Sequence, residues 1–168
     1  MLFVYTVLFN IGFALDINVE KYHKVERWNF APDIIVCQNA PVTVEQVQKA
    51  VDAWKEKGIP LGTVRKQQAG ECGIKYSHFD DGKILIAGKL RFLDKDLYNG
   101  WTVKYTYTEQ GDGKDIVTAI CEINDDTIRE KPYYTHKLLI HEIGHAIGYP
   151  HQHHSQNDVM SDSLKNVY

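Results

Sequence analysis

One run, residues 141–160 (HEIGHAIGYPHQHHSQNDVM), constrains this chain more than any other. It opens with His141, Glu142 and His145 in the order H-E-x-x-H. A helix has 3.6 residues per turn, so residues four apart share a face. His141 and His145 therefore point the same way, at a spacing that lets two imidazoles grip one metal ion. Glu142, next to the first ligand, is a candidate general base. Gly148 can adopt the positive φ that ends a helix and turns the chain back. That turn brings His151 within reach as a third ligand. Three nitrogen ligands leave a fourth tetrahedral position open, the mark of a catalytic rather than a closed structural zinc site. The fold must therefore supply a helix that ends near Gly148 and a return that faces it.

Taken with Met160, the string H-E-x-x-H-x-x-G-x-x-H resembles the signature of the metzincin zinc endopeptidases, in which a methionine turn follows the third histidine. Asp158-Val159-Met160 resembles that turn, and the short gap from His151 is most like the matrixin branch. The astacins are a weaker match: Gln152-His153-His154 fits their polar run, but their longer insertion is missing. The resemblance is specific over residues 119–160 and topological over 31–116. It implies an α+β fold: a twisted mixed β-sheet with two main helices, the active-site helix below the sheet, and a short C-terminal subdomain. It also implies one catalytic zinc ion on His141, His145 and His151, with Met160 as an apolar floor and not a ligand. The partner implied is a protein or peptide substrate, lying extended along the edge strand before the last one, here residues 101–108. Matrixins usually carry a prodomain whose cysteine caps the zinc; no such segment fits here, so control by other means is expected. They also often have Tyr-Pro after the methionine, where this chain has Ser161-Asp162, and no tyrosine is assigned to the oxyanion. With so few residues after Met160, a minimal C-terminal helix is expected.

The chemistry implied is hydrolysis of a peptide bond. Zinc on three neutral imidazoles lowers the pKa of a bound water from near 15.7 toward about 7. Glu142 would take the proton and pass it to the leaving amine. The alternative is a non-catalytic zinc-binding module, structural or adhesive, although a structural zinc has no use for a base at position 142.

Bulk properties set few further limits. A length of 168 residues fits one domain with a substantial core. A net charge of −3 and no basic cluster give no reason to expect nucleic acid or an anionic membrane as partner. Residues 1–15 (MLFVYTVLFNIGFAL) are apolar except Thr6 and Asn10, too short a run to span a bilayer comfortably. They suit a signal peptide over residues 1–14, leaving 15–168 as a single catalytic domain and implying secretion, although the run lacks a basic residue at its start. A buried N-terminal strand is the other reading. Cysteines 37, 72 and 121 are odd in number. Cys37 and Cys72 are a possible pair, whereas Cys121 falls in an alternating pattern as a small buried residue.

Along the chain, residues 32–37 read as a buried strand. Thr43 is a helix N-cap with Gln46 completing a capping box. Val44, Val47, Val51 and Trp54 form the apolar face of that helix, which Gly58 and Pro60 end. Strands follow over 63–67, 74–77, 83–87, 101–108 and 117–123, with the last two forming a hairpin about Gly111-Asp112-Gly113. Residues 124–132 read as a loop, and Thr135 as the cap of the metal-bearing helix. On that helix Ile140, Ile143 and Ile147 should face the sheet. Calcium on Asp94, Asp96, Asp112 or Asp115 has no regular ligand spacing behind it. His78 with Asp80 reads as a polar turn, His153 and His154 as exposed loop residues, and His23 and His136 carry no functional reading.

Overall fold

A computed structural model of the chain describes residues 17–72, 82–88, 99–107, 114–152 and 157–161. The readings made for residues 1–14, 74–77, His78 with Asp80, Asp94, Asp96, residues 111–113, His153, His154 and the chain beyond 161 lie outside the described residues. The fold is α+β. Six strands, β1 (Glu26–Arg27), β2 (Asp33–Val36), β3 (Val64–Lys66), β4 (Lys83–Gly88), β5 (Gly100–Tyr107) and β6 (Lys114–Ile123), form one mixed sheet. Strands β3, β2, β4 and β6 pair in parallel in that order, and β1 pairs in parallel with the start of β6. Among the described strands β5 is the one that runs antiparallel, against β6, with a register shift between Tyr105 and Thr106.

Among the described residues there are two main α-helices, α1 (Val44–Lys55) and α3 (Thr135–Ala146), and a short one between them, α2 (Asp125–Glu130). The stretch 124–132, read as a loop, contains α2. Asn124 caps it, its side-chain oxygen accepting from the Asp126 N–H. A six-residue helix has less than two turns of periodicity, so its apolar pattern is too short to register. A 3-10 turn, Pro132–Tyr134, then runs straight into α3. Consequently Thr135 is the first helical residue and not the cap; Tyr134 holds that place without a side-chain bond. The start of α1 is as read: Thr43 Oγ1 accepts from the Gln46 N–H at 3.2 Å, and Gln46 Oε1 from the Thr43 N–H at 2.8 Å.

The core lies between one face of the sheet and helices α1 and α3. Ile34, Val36, Ile84, Ile86, Ala119, Cys121 and Ile123 meet Val47, Val51, Trp54, Leu139, Ile140, Ile143 and Ile147. Trp54 is fully buried, and its indole N–H donates to the Ile140 carbonyl at 2.9 Å, tying α1 to α3. Strand β6, whose sequence alternates about Cys121, is not buried on one face alone. Its second face, with Thr118, Ile120 and Glu122, is buried as well, as befits a strand paired on both sides within a covered sheet. Cys37 and Cys72 form a disulfide, joining the end of β2 to the segment after β3. Cys121 is a free, buried thiol. Among the described residues no helix is long and apolar enough to cross a membrane.

Candidate metal centre

Helix α3 sets the first two histidines. His141 and His145 are one turn apart, with ring centroids 4.5 Å apart. The helix stops after Ala146, and Gly148 at φ +103° turns the chain back. Only glycine fits there for a second reason: a Cβ would collide with the carbonyl oxygen of Glu26 and lie 2.8 Å from its carbon. The turn delivers His151 beside the helix. His145 Nε2 lies 3.1 Å and His151 Nε2 3.3 Å from His141 Nε2. Tetrahedral ligands at a metal–nitrogen distance of about 2.0–2.1 Å sit about 3.3 Å from one another. Two of the three separations thus match those around a single ion, and all three ligand atoms lie within 4.8 Å of one another. Among the described residues this is the one grouping of three histidines, cysteines or carboxylates able to hold a metal.

Two backbone carbonyls aim the rings. His141 Nδ1 is 2.7 Å from the Val159 oxygen, and His145 Nδ1 is 2.8 Å from the Tyr149 oxygen. Each Nδ1–H then donates outward, which leaves Nε2 as the lone-pair nitrogen of a neutral imidazole. Burial, and then the neighbouring His145, hold His141 down to about 3 from its usual 6.5, so that ring is neutral across the physiological range. His151 is exposed and opens the cluster to solvent.

The segment 158–160 is itself held. Asp158 Oδ1 accepts from the Met160 N–H at 2.8 Å and from the Tyr22 hydroxyl at 2.6 Å. Met160 is fully buried, with its sulfur against Gly144. A Cβ at position 144 would run into that sulfur and lie 2.7 Å from the Trp54 ring. Gly144 went unread in the sequence, although a glycine inside an otherwise good helix was a signal of close approach. Tyr22 was also missed; it stands 136 residues away from Asp158, and no local pattern announces such a contact.

Residues 22–28 strap the far end of α3. The Val25 N–H donates to the Gly148 oxygen at 3.2 Å, and the Trp28 indole N–H to the Ala146 oxygen at 2.9 Å. The second bond satisfies one of the carbonyls that a helix C-terminus leaves over, and the first holds the turn two residues past the helix. Tyr149 stacks on Trp54 with centroids 5.5 Å apart and meets Tyr22 edge-on at 5.4 Å.

Glu142 faces β5. Its Oε2 accepts from the Thr102 hydroxyl at 2.6 Å, and a Cβ on Gly100 would lie 2.6 Å from Oε1. The side chain is buried, which pushes its carboxyl up to about 7; the Thr102 bond pulls the other way. Of the four aspartates considered for calcium, Asp115 alone lies among the described residues, and it is engaged by Arg27 at 3.0 Å and Asn29 at 2.7 Å. Comparison with known protein families and with curated proteins finds no match to this chain.

Proposed function

We propose that this protein is a zinc-dependent endopeptidase of metzincin type, nearest the matrixins, acting on a protein or peptide. The observation that carries the reading is the convergence of three imidazole Nε2 atoms, two of them oriented by backbone carbonyls, with Glu142 one residue from the first. A closed structural site would use a fourth protein ligand, and no fourth side chain joins the cluster among the described residues. Borderline-soft nitrogen donors in this number suit zinc over the hard cations calcium and magnesium.

The bound ion would supply Lewis acidity, acidifying a water molecule and polarising the scissile carbonyl. The protein's own groups do the rest. His141, His145 and His151 present neutral nitrogen donors and leave the ion's charge undiminished. Glu142 Oε1, the oxygen that Thr102 does not engage, takes the proton of the attacking water and delivers it to the leaving amine nitrogen. Gly100 keeps the space beside that oxygen clear. Strand β5, paired with β6 on one side, offers its other edge to an extended peptide. The disulfide fits export to an oxidising compartment.

The test is metal analysis followed by assay. The purified protein should hold about one zinc per chain and cleave casein, with activity abolished by a chelator and by Glu142→Gln while zinc remains. One zinc per chain with no cleavage of casein or of a broad peptide library would favour the second reading, a non-catalytic zinc module. The near-complete burial of Glu142, 4% exposed, is what speaks for that alternative.

A further inference from the structure

The contact between β5 and Glu142 goes beyond what a supporting strand needs. The Thr102 hydroxyl lies 2.6 Å from Glu142 Oε2 and 3.1 Å from the Glu142 main-chain oxygen. It thus touches both ends of one residue. Across the strand pair, Thr102 stands opposite Cys121, whose sulfur is 3.5 Å from the same main-chain oxygen. On the other side of the carboxylate, Gly100 leaves room that any side chain would fill. A glutamate side chain has three rotatable bonds, and a buried one with a single fixed partner loses most of that freedom. Without the hydroxyl, Oε2 would be a buried acceptor with an apolar branch against it, and the carboxylate would turn to find another donor.

We propose that Thr102 is the positioning residue for Glu142: its hydroxyl, set by β5, holds the carboxylate so that Oε2 is occupied and Oε1 is free for proton transfer. This rests on the endopeptidase reading. It adds a second task to β5, whose outer edge is assigned to substrate while its helix-facing side chain fixes the base. Misplacing a catalytic group by about 1 Å costs on the order of a hundredfold in rate, whereas the affinity for substrate lies elsewhere on the strand.

Thr102→Val keeps the shape and removes the hydroxyl; Thr102→Ser keeps the hydroxyl. On a quenched fluorogenic peptide drawn from the library screen, Val should lower kcat by about 10- to 100-fold with KM within about twofold. Ser should restore kcat to within about threefold, and zinc content should equal that of the unmodified protein in both. A Val variant with unchanged kcat, or a Ser variant as impaired as Val, overturns the proposal. Should Val fail to fold, Thr102→Ala gives the same reading. A second measurement does not depend on turnover: the carboxyl 13C resonance of Glu142, assigned by its disappearance in Glu142→Gln. In the zinc-loaded protein it should move in Val and stay in Ser. If the unmodified protein cleaves nothing, the endopeptidase reading fails while this resonance still decides the role of Thr102; an unmoved resonance in Val refutes it.

Discussion

Glu142 and His141 are neighbours in sequence with opposite pH behaviour. In the metal-free protein burial raises the Glu142 carboxyl to about 7, so its contribution to stability is complete below the unfolded value of 4.5 and is lost as pH rises through 7. His141 is lowered to about 3, so its contribution is complete above 6.5 and is lost as pH falls toward 3. Glu142→Gln removes only the first effect. The chelated variant should therefore exceed the chelated parent in stability at pH 8 by on the order of 3 kcal/mol, with the gap closing by pH 4. Urea unfolding at the two pH values measures it, and parallel behaviour of the two proteins would refute the burial argument. Gly144 gives a second expectation. Alanine favours a helix over glycine by about 1 kcal/mol. Here the added methyl would meet Met160 and the rigid Trp54 ring, so Gly144→Ala should destabilise by about 1–3 kcal/mol despite that preference. Guanidinium unfolding that shows a gain would mean the turn carrying Met160 yields freely.

At the scale of elements, the histidine cluster is built by a helix end and supported by two segments distant in sequence. Helix α3 carries two of the three histidines, and its end is held by residues 22–28: Trp28 bonds the Ala146 carbonyl, and Val25 that of Gly148 just past the helix. The carbonyl that aims His141 belongs to Val159, in a turn pinned by the Tyr22–Asp158 bond. Removing that hydroxyl leaves Asp158 with the Met160 N–H and loosens the turn. Tyr22→Phe should weaken zinc binding by about tenfold, the lower end of what such supporting partners contribute, and lower stability by about 1 kcal/mol. Competition with a chromogenic chelator reads the affinity. Unchanged affinity with lowered stability would limit Tyr22 to packing.

Over the whole molecule, the disulfide and the histidine cluster lie toward different ends of the strand order. The bridge ties β2 to the segment after β3, whereas α3 packs against β5 and β6. Cys37 and Cys72 are 35 residues apart, and closing a loop of that length restricts the unfolded chain by about 3–4 kcal/mol. The double variant Cys37→Ser, Cys72→Ser should lose about that much stability yet keep one zinc per chain. Loss of the metal together with the bridge would show that the two ends are coupled through β2 and β4. A cluster of opposite charge reinforces the same region: Arg65 grips Glu71 with two bonds of 2.7 Å and, with Lys83 nearby, holds its carboxyl down to about 2.

What could be read from the sequence was whatever depends on near neighbours. The i, i+4 spacing of His141 and His145, the glycine at 148, the capping box at Thr43 and the apolar face through Trp54 are all local periodicities, and each element stands where its pattern put it. The α+β class came from the family resemblance that the histidine motif carries. The structure alone decided what depends on distant pairs. It brought Tyr22 to Asp158, Trp28 to Ala146 and Thr102 to Glu142, and it buried both faces of β6. Alternation along one strand reports one neighbouring layer and is blind to a second, and a hydrogen bond across 40 or 136 residues leaves no period in the chain. The three histidines were legible as a group able to hold a metal ion because the helix spaces two of them. Their aim was not, because the carbonyls that turn the rings are set by the fold around them.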